Sequence, residues 1–184
     1  MSEAERAKWD ARYGEAGYRM GDGPKAFLVD LADLLPARGT VLDLACGEGQ
    51  NLVWLAGRGL AGTGVDVSGV GLRKAAALAK AAGVEVEWIQ GDLETWEPGD
   101  RQWDVVLCSH FLLRDLVPRM RRMVRPGGIV LLELLAEGSR LPPRYLVAPN
   151  EPLRWFVDFR ILRYAELERD GVHVARLAAR NVRG

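Results

Sequence analysis

The chain has 184 residues, with 25 Lys and Arg against 25 Asp and Glu, a formal net charge of zero and 48% hydrophobic residues. That length supports one α/β domain with a sizeable core, and the even charge argues against a nucleic-acid partner, whose phosphates require a basic surface. The charged start Met1-Ser2-Glu3-Ala4-Glu5-Arg6 is unlike an export signal, and no apolar run approaches the roughly 18 residues of a membrane span, so a cytoplasmic protein with no membrane partner is expected. Cys46 and Cys108 are too few and too far apart for a metal site or a disulfide framework.

In chain order, the first strong element is Val41-Leu42-Asp43-Leu44, an apolar run that breaks into Ala45-Cys46-Gly47-Glu48-Gly49 and then into a helical pattern from about Gln50 to Arg58. The run reads as a strand buried on both faces. Gly47 and Gly49 let the backbone turn where a side chain would meet a ligand, under the positive end of the helix that follows. A second strand, Ala61–Val67, carries Asp66 at its tip, about 20 positions beyond the glycines, where a carboxylate reaches a ribose or caps the helix starting near Ser68. That helix is expected from about Val70 to Ala82, with Gly83 as its C-terminal cap, and a third strand over Val84–Gln90.

Nicotinamide proteins place a third glycine where this chain has Leu52, and their pyrophosphate would be repelled by Asp43, four residues ahead of Gly47. A cofactor with a cationic end suits Asp43 better. The order Asp-Leu-Ala-Cys-Gly-Glu-Gly resembles the first motif of the class I S-adenosylmethionine-dependent methyltransferases.

The resemblance implies a three-layer Rossmann-like sandwich with a mostly parallel seven-stranded sheet and an antiparallel C-terminal strand pair. It implies S-adenosylmethionine as cofactor and a site of Asp43, Ala45, Gly47, Gly49, Asn51, Asp66, Val67 and Cys108. Asp92 and Leu93, in Gly91-Asp92-Leu93, inherit the adenine contacts by the same likeness, although Asp92 also reads as an ordinary loop carboxylate. Residues 1–36 would form a helical cap over the cofactor, 37–135 the cofactor-binding core, and 136–184 a substrate-side loop and the last strands. Trp9-Asp10-Ala11-Arg12-Tyr13, with Tyr18 and Gly21-Asp22-Gly23-Pro24, resembles the opening of the small tellurite-resistance and thiopurine methyltransferases. In that family the segment closes over the cofactor. Trp9 and Tyr13 share a helix face and either do this or only dock the segment, and Arg12 would reach the cofactor carboxylate.

The fourth strand is expected at Trp103–Cys108 and the fifth at Ile129–Leu134, after an Arg125-Pro126-Gly127-Gly128 turn that is also a family mark. Arg114, Arg119, Arg121, Arg122 and Arg125 fall largely on one helix before that turn and read as a solvated face. Residues 138–152, with four prolines, are expected to lack regular structure and to lie over the active-site edge. Strands over Arg154–Tyr164 and Val172–Asn181, reversing near Asp170-Gly171, complete the sheet.

Neither acceptor motif of the DNA methyltransferases follows strand four, where the chain reads Leu107-Cys108-Ser109-His110-Phe111. A small-molecule acceptor is therefore expected, a thiol or chalcogen oxyanion among the options, on a monomer or homodimer. His110 is the candidate base, by its place at the carboxyl end of strand four and the ordinary pKa of histidine near 6.5, or else a structural histidine. His173 reads as structural. A nicotinamide oxidoreductase and a non-catalytic cofactor-binding sensor are the alternatives.

Overall fold

Alternation of glycine-terminated helices with short β-branched and leucine runs builds an open α/β sheet, and the chain follows it closely. The computed structural model describes residues 3–169 and 171–183. Seven strands form a mostly parallel sheet with an antiparallel C-terminal pair, in the order β3-β2-β1-β4-β5-β7-β6 for β1 (Gly39–Leu44), β2 (Leu60–Asp66), β3 (Val86–Gln90), β4 (Trp103–Ser109), β5 (Val124–Leu135), β6 (Arg160–Arg169) and β7 (Val172–Arg180). By contacts the chain divides into two units, residues 1–99 and 100–184.

In the first unit β1 pairs with β2 and β2 with β3, all parallel. The helices are α1 (Glu3–Tyr13), α2 (Ala26–Asp30), α3 (Gln50–Gly57) and α4 (Gly69–Ala82). Leu42, Leu44, Leu52 and Leu55 are fully buried, which is why the β1 and α3 runs carry no polar alternation. Helix α4 starts as a Ser/Thr cap requires, with Ser68 Oγ accepting from Gly71 N at 3.0 Å, and stops at Gly83 in the left-handed region (φ 68°). β3 begins two residues later than the pattern suggests, at Val86.

In the second unit β4 and β5 are parallel, β7 is antiparallel to β5, and β6 is antiparallel to β7. Its helices are α5 (Val117–Met123) and α6 (Glu151–Trp155). Three expectations are corrected here. The Arg125-Pro126-Gly127-Gly128 segment does not precede β5 but lies inside it as an irregularity. Register jumps from Trp103↔Val124 to Val105↔Ile129, Gly127 sits at φ 80°, and its N–H donates to Asn181 O at 2.8 Å. Arg154 and Trp155 belong to α6, not to a strand, because Pro152 is pre-set for a first helical turn after Asn150 at φ 58°. The proline-rich segment carries regular pieces, a 3-10 turn at Pro143–Tyr145 and a bridge of Ala136 to Val147.

The arginines are also spread over more than one helix. Arg114 is in a 3-10 turn, Arg119, Arg121 and Arg122 in α5, and Arg125 in β5. Several are tied down, Arg114 by Glu151, Arg121 by Asp158 and Arg125 by Asp104. Gly171 has φ 75°, and Asp170, like Met1, Ser2 and Gly184, lies outside the described residues. His173 packs against Gly138, where a Cβ would come 2.7 Å from its ring, in keeping with a structural role.

Candidate functional site

The backbone leaving β1 enters the left-handed region three times in five residues, at Ala45 (φ 58°), Gly47 (φ 56°) and Gly49 (φ 80°). For Ala45 this costs about 1–2 kcal/mol, a strain that clusters at ligand-holding turns. The two glycines serve different ends. A Cβ on Gly47 would come 2.7 Å from the Tyr13 hydroxyl, and one on Gly71 would come 2.9 Å from the same ring, so Tyr13 lies between the turn and the start of α4. A Cβ on Gly49 would come 2.6 Å from Ala75 Cβ and 2.7 Å from Trp88. The second glycine therefore closes α3 onto α4 rather than clearing a ligand.

Asp43, at the end of β1, is 1% exposed, and among the described residues neither carboxylate oxygen has a hydrogen-bond partner. Burial pushes its pKa well above the carboxylate range, Asp66 adds to the rise, and Lys25 opposes it. Asp66 is buried as well, but its oxygens accept from Gly47 N and Ser68 N, both at 2.8 Å. Its pKa is raised by burial against those backbone hydrogen bonds. Cys46 lies beside them, its thiol pushed far up by burial and by Asp43 and Asp66, which makes it inert.

Helix α1 reaches this turn through Asp10 and Tyr13. Asp10 Oδ1 accepts from Ser68 Oγ at 2.5 Å and Val70 N at 3.2 Å, the position where the open N–H groups of α4 favour an anion. Trp9 and Tyr13 do share a helix face, with rings 5.4 Å apart, and Arg12 stacks over Trp9 at 4.9 Å. Burial, then Asp66 and Glu48, raise the Tyr13 pKa, so the hydroxyl stays neutral.

Glu48 and Lys74 were not singled out by sequence, yet they fasten the N-terminal segment. Glu48 is 2% exposed and pairs with Lys74 Nζ at 3.0 Å, and its other oxygen accepts from Arg19 N at 2.8 Å. Lys74 spends its other two protons on Glu15 O at 2.8 Å and Gly17 O at 2.6 Å. Gln50 Nε2 donates to Gly21 O, and Asn51 Oδ1 accepts from Lys25 N. A carboxylate between two glycines was the available signal, since a buried charge needs a partner.

The loop after β3 is tied to the same end, with Gly91 N donating to Asp66 O at 2.9 Å. Asp92 caps its own turn through Glu94 N at 2.9 Å, Leu93 is 1% exposed, and the Val67 carbonyl accepts from Gln90. Within the first unit the fold thus gathers Tyr13, Asp43, Ala45, Gly47 and Asp66, with Val67, Asp92 and Leu93 on adjoining loops. Arg12 lies over the Trp9 ring on the same helix.

The other two residues belong to the second unit. Cys108 is buried, with Sγ 3.5 Å from Phe111 O. His110 stands at φ 54°, its Nε2 3.0 Å from Glu133 Oε1, while Glu133 Oε2 accepts from Arg176 Nε at 2.8 Å. Glu133 was missed, although a charge inside Val130-Leu131-Leu132-Glu133-Leu134 marks a buried carboxylate that must be paired. Burial raises its pKa, but His110 and Arg176 outweigh this and hold it below the usual glutamate value. Among the described residues no helix could cross a membrane and no cluster of three His, Cys, Asp or Glu could hold a metal.

Trans-aconitate 2-methyltransferase of Azoarcus sp. (strain BH72) is 30% identical over 152 residues, 70% of this chain and 58% of that protein. The family described as Methyltransferase domain matches residues 41–128, from the start of the buried β1 run to Gly128. Over that span the chain is similar to the class I methyltransferases. The chain shares its fold with NodS from Bradyrhizobium japonicum WM9, solved with S-adenosyl-L-homocysteine, at TM-score 0.79, 15% identity and coverage of 96% and 97% of the two chains. It shares it also with TehB from Haemophilus influenzae, at TM-score 0.74, 19% identity and coverage of 96% of this chain and 67% of that one. The chain spans about half the length of the curated relatives it matches.

Proposed function

We propose that the chain binds S-adenosylmethionine in the first unit and transfers its methyl group to a small-molecule acceptor, acting as one methyltransferase domain. Asp43 carries the reading. A buried carboxylate with two orphan oxygens costs several kcal/mol unless a cation joins it, and the amino end of a phosphate-free cofactor is such a cation. A pyrophosphate at the same turn would be repelled.

When bound, this cofactor supplies a sulfonium-activated methyl group, so alignment and exclusion of water matter more than a strong base. Asp43 holds the ammonium, and the Ala45–Gly47 backbone lines the turn. Each oxygen of Asp66 keeps a second lone pair for ribose hydroxyls, and Asp92 and Leu93 take the adenine, as the family likeness implies. Tyr13, against Gly47, keeps water from the turn. Where the acceptor releases a proton, His110 takes it at Nδ1, because Glu133 fixes Nε2 as the protonated nitrogen. The Trp9–Pro24 likeness favours a thiol or chalcogen oxyanion as acceptor, and the relative named for trans-aconitate adds carboxylates.

Calorimetric titration with S-adenosylmethionine, its demethylated product and NADH tests this. Micromolar binding of the first two alone, lost in Asp43→Asn, supports the reading; binding of NADH, or of none, overturns it. Methyl transfer to a panel of thiols, chalcogen oxyanions and carboxylates then separates an enzyme from a non-catalytic sensor.

A further inference from the structure

The second unit contains an open cleft of about 440 Å³. Its polar lining is Arg114, Arg121, Arg122 and Arg183, and its apolar lining is Val117, Pro118 and Trp155. Among the described residues, two carboxylates answer the four guanidiniums. Arg114 is matched by Glu151, at 2.6 Å from Nε and 2.9 Å from Nη2. Arg121 is matched by Asp158, at 2.5 and 2.6 Å from Nη2.

Arg183 lies 3.7 Å from Asp158 and is held by Asn181 Oδ1 and the Arg121 carbonyl at 2.9 and 2.8 Å. Arg122 is exposed and donates a long hydrogen bond of 3.4 Å to Pro118 O in its own helix. Among the described residues, the cleft therefore keeps an excess of two positive charges. Gathering like charges in a concave surface is unfavourable unless an anion joins them.

We propose that this cleft binds a small organic anion, a carboxylate or phosphate carried on a flat apolar body. Guanidinium forks pair with both oxyanions through parallel hydrogen bonds. Arg121 and Arg183 are already held by Asp158, Asn181 and backbone carbonyls, so little side-chain freedom is left to lose on binding. Val117, Pro118 and Trp155 offer apolar surface that a bare inorganic ion would leave unused, and the volume lies within the roughly 300–1,000 Å³ of small-molecule sites. The cleft shares no residue with the cofactor cradle, and the proposal does not depend on methyl transfer.

The test titrates the full chain with phenyl phosphate, benzoate, inorganic phosphate and benzyl alcohol, read by calorimetry and tryptophan fluorescence. Phenyl phosphate and benzoate are expected to saturate one site, inorganic phosphate to bind about tenfold more weakly and benzyl alcohol not to saturate. Arg122→Gln, which leaves the Glu151 and Asp158 pairs intact, is expected to weaken both aromatic anions about tenfold at unchanged melting temperature and unchanged cofactor affinity. Trp155→Leu is expected to weaken phenyl phosphate but not inorganic phosphate. Absence of saturable anion binding overturns the proposal, as does binding that Arg122→Gln and Arg183→Gln both leave unchanged. Equal affinity for inorganic and phenyl phosphate overturns the apolar half of the ligand assignment.

Discussion

The Tyr13 hydroxyl lies where a side chain on residue 47 would begin, 2.7 Å from an ideal Cβ on Gly47. The N-terminal helix is thus seated against a turn that holds three left-handed residues, Ala45, Gly47 and Gly49. Gly47→Ala should cost about 1–3 kcal/mol from its left-handed backbone and from displacing Tyr13. Gly49→Ala should cost more, because its Cβ meets Ala75 Cβ at 2.6 Å and Ala75 Cα at 3.2 Å, where no flexible tip can swing away. Denaturant unfolding and protease nicking near residue 13 would check both. Gly47→Ala should expose the segment, and equal stability for the two variants would contradict the ordering.

Asp43 has a folded-state pKa raised above its unfolded value, mainly by burial. Its folded form therefore holds a proton that the unfolded chain releases. The stability linked to this group is present below the unfolded pKa and is lost as pH rises through the folded one. Without cofactor, Asp43→Asn should raise stability at neutral pH by on the order of 1–2 kcal/mol while abolishing cofactor binding. Melting temperatures at pH 5 and pH 8 would show a larger gain at the higher pH; a destabilised variant would mean the carboxylate has a partner.

Lys74 spends all three ammonium protons on Glu48, Glu15 O and Gly17 O. Lys74→Met keeps the apolar stem but leaves the Glu48 carboxylate, 2% exposed, without its cation. A loss of about 2–4 kcal/mol is expected, together with faster hydrogen exchange over residues 14–21. Glu48→Gln with Lys74→Met should recover part of that loss in a double-mutant cycle.

Glu133 is depressed below the usual glutamate value by His110 and Arg176 despite its burial. Its contribution is present above the unfolded pKa and disappears as pH falls through the depressed folded one. Glu133→Gln should therefore destabilise the protein at pH 7 more than at pH 3. An identical deficit at both values would show that the ion pairs contribute nothing beyond packing. If His110 acts on the acceptor, the same variant should lower kcat with little effect on cofactor affinity.

Much of the first unit is legible in the amino-acid order. The break from Leu44 into Gly47 and Gly49, the Ser68 start and the Gly83 stop of α4 are local signals, each satisfied by residues within a turn of one another. The second unit was harder. Arg154–Tyr164 looks like one strand, but Pro152 and the left-handed Asn150 turn its first two residues into α6. The β5 irregularity at Gly127 depends on Asn181, more than fifty residues away.

By itself, the sequence determined which segments are buried, where helices start and stop, and that the turn after β1 suits a cationic, phosphate-free ligand. These follow from periodicity, capping and backbone freedom, which act over a few residues. Only the tertiary structure decided that Gly49 serves helix packing, that Glu48 fastens the N-terminal segment through Lys74, that Glu133 joins His110 to Arg176, and that Asp43 has no hydrogen-bond partner among the described residues. Each is a matter of how a charge or a bare backbone is matched across long stretches of chain, and desolvation makes that matching costly to omit while sequence spacing leaves it unspecified.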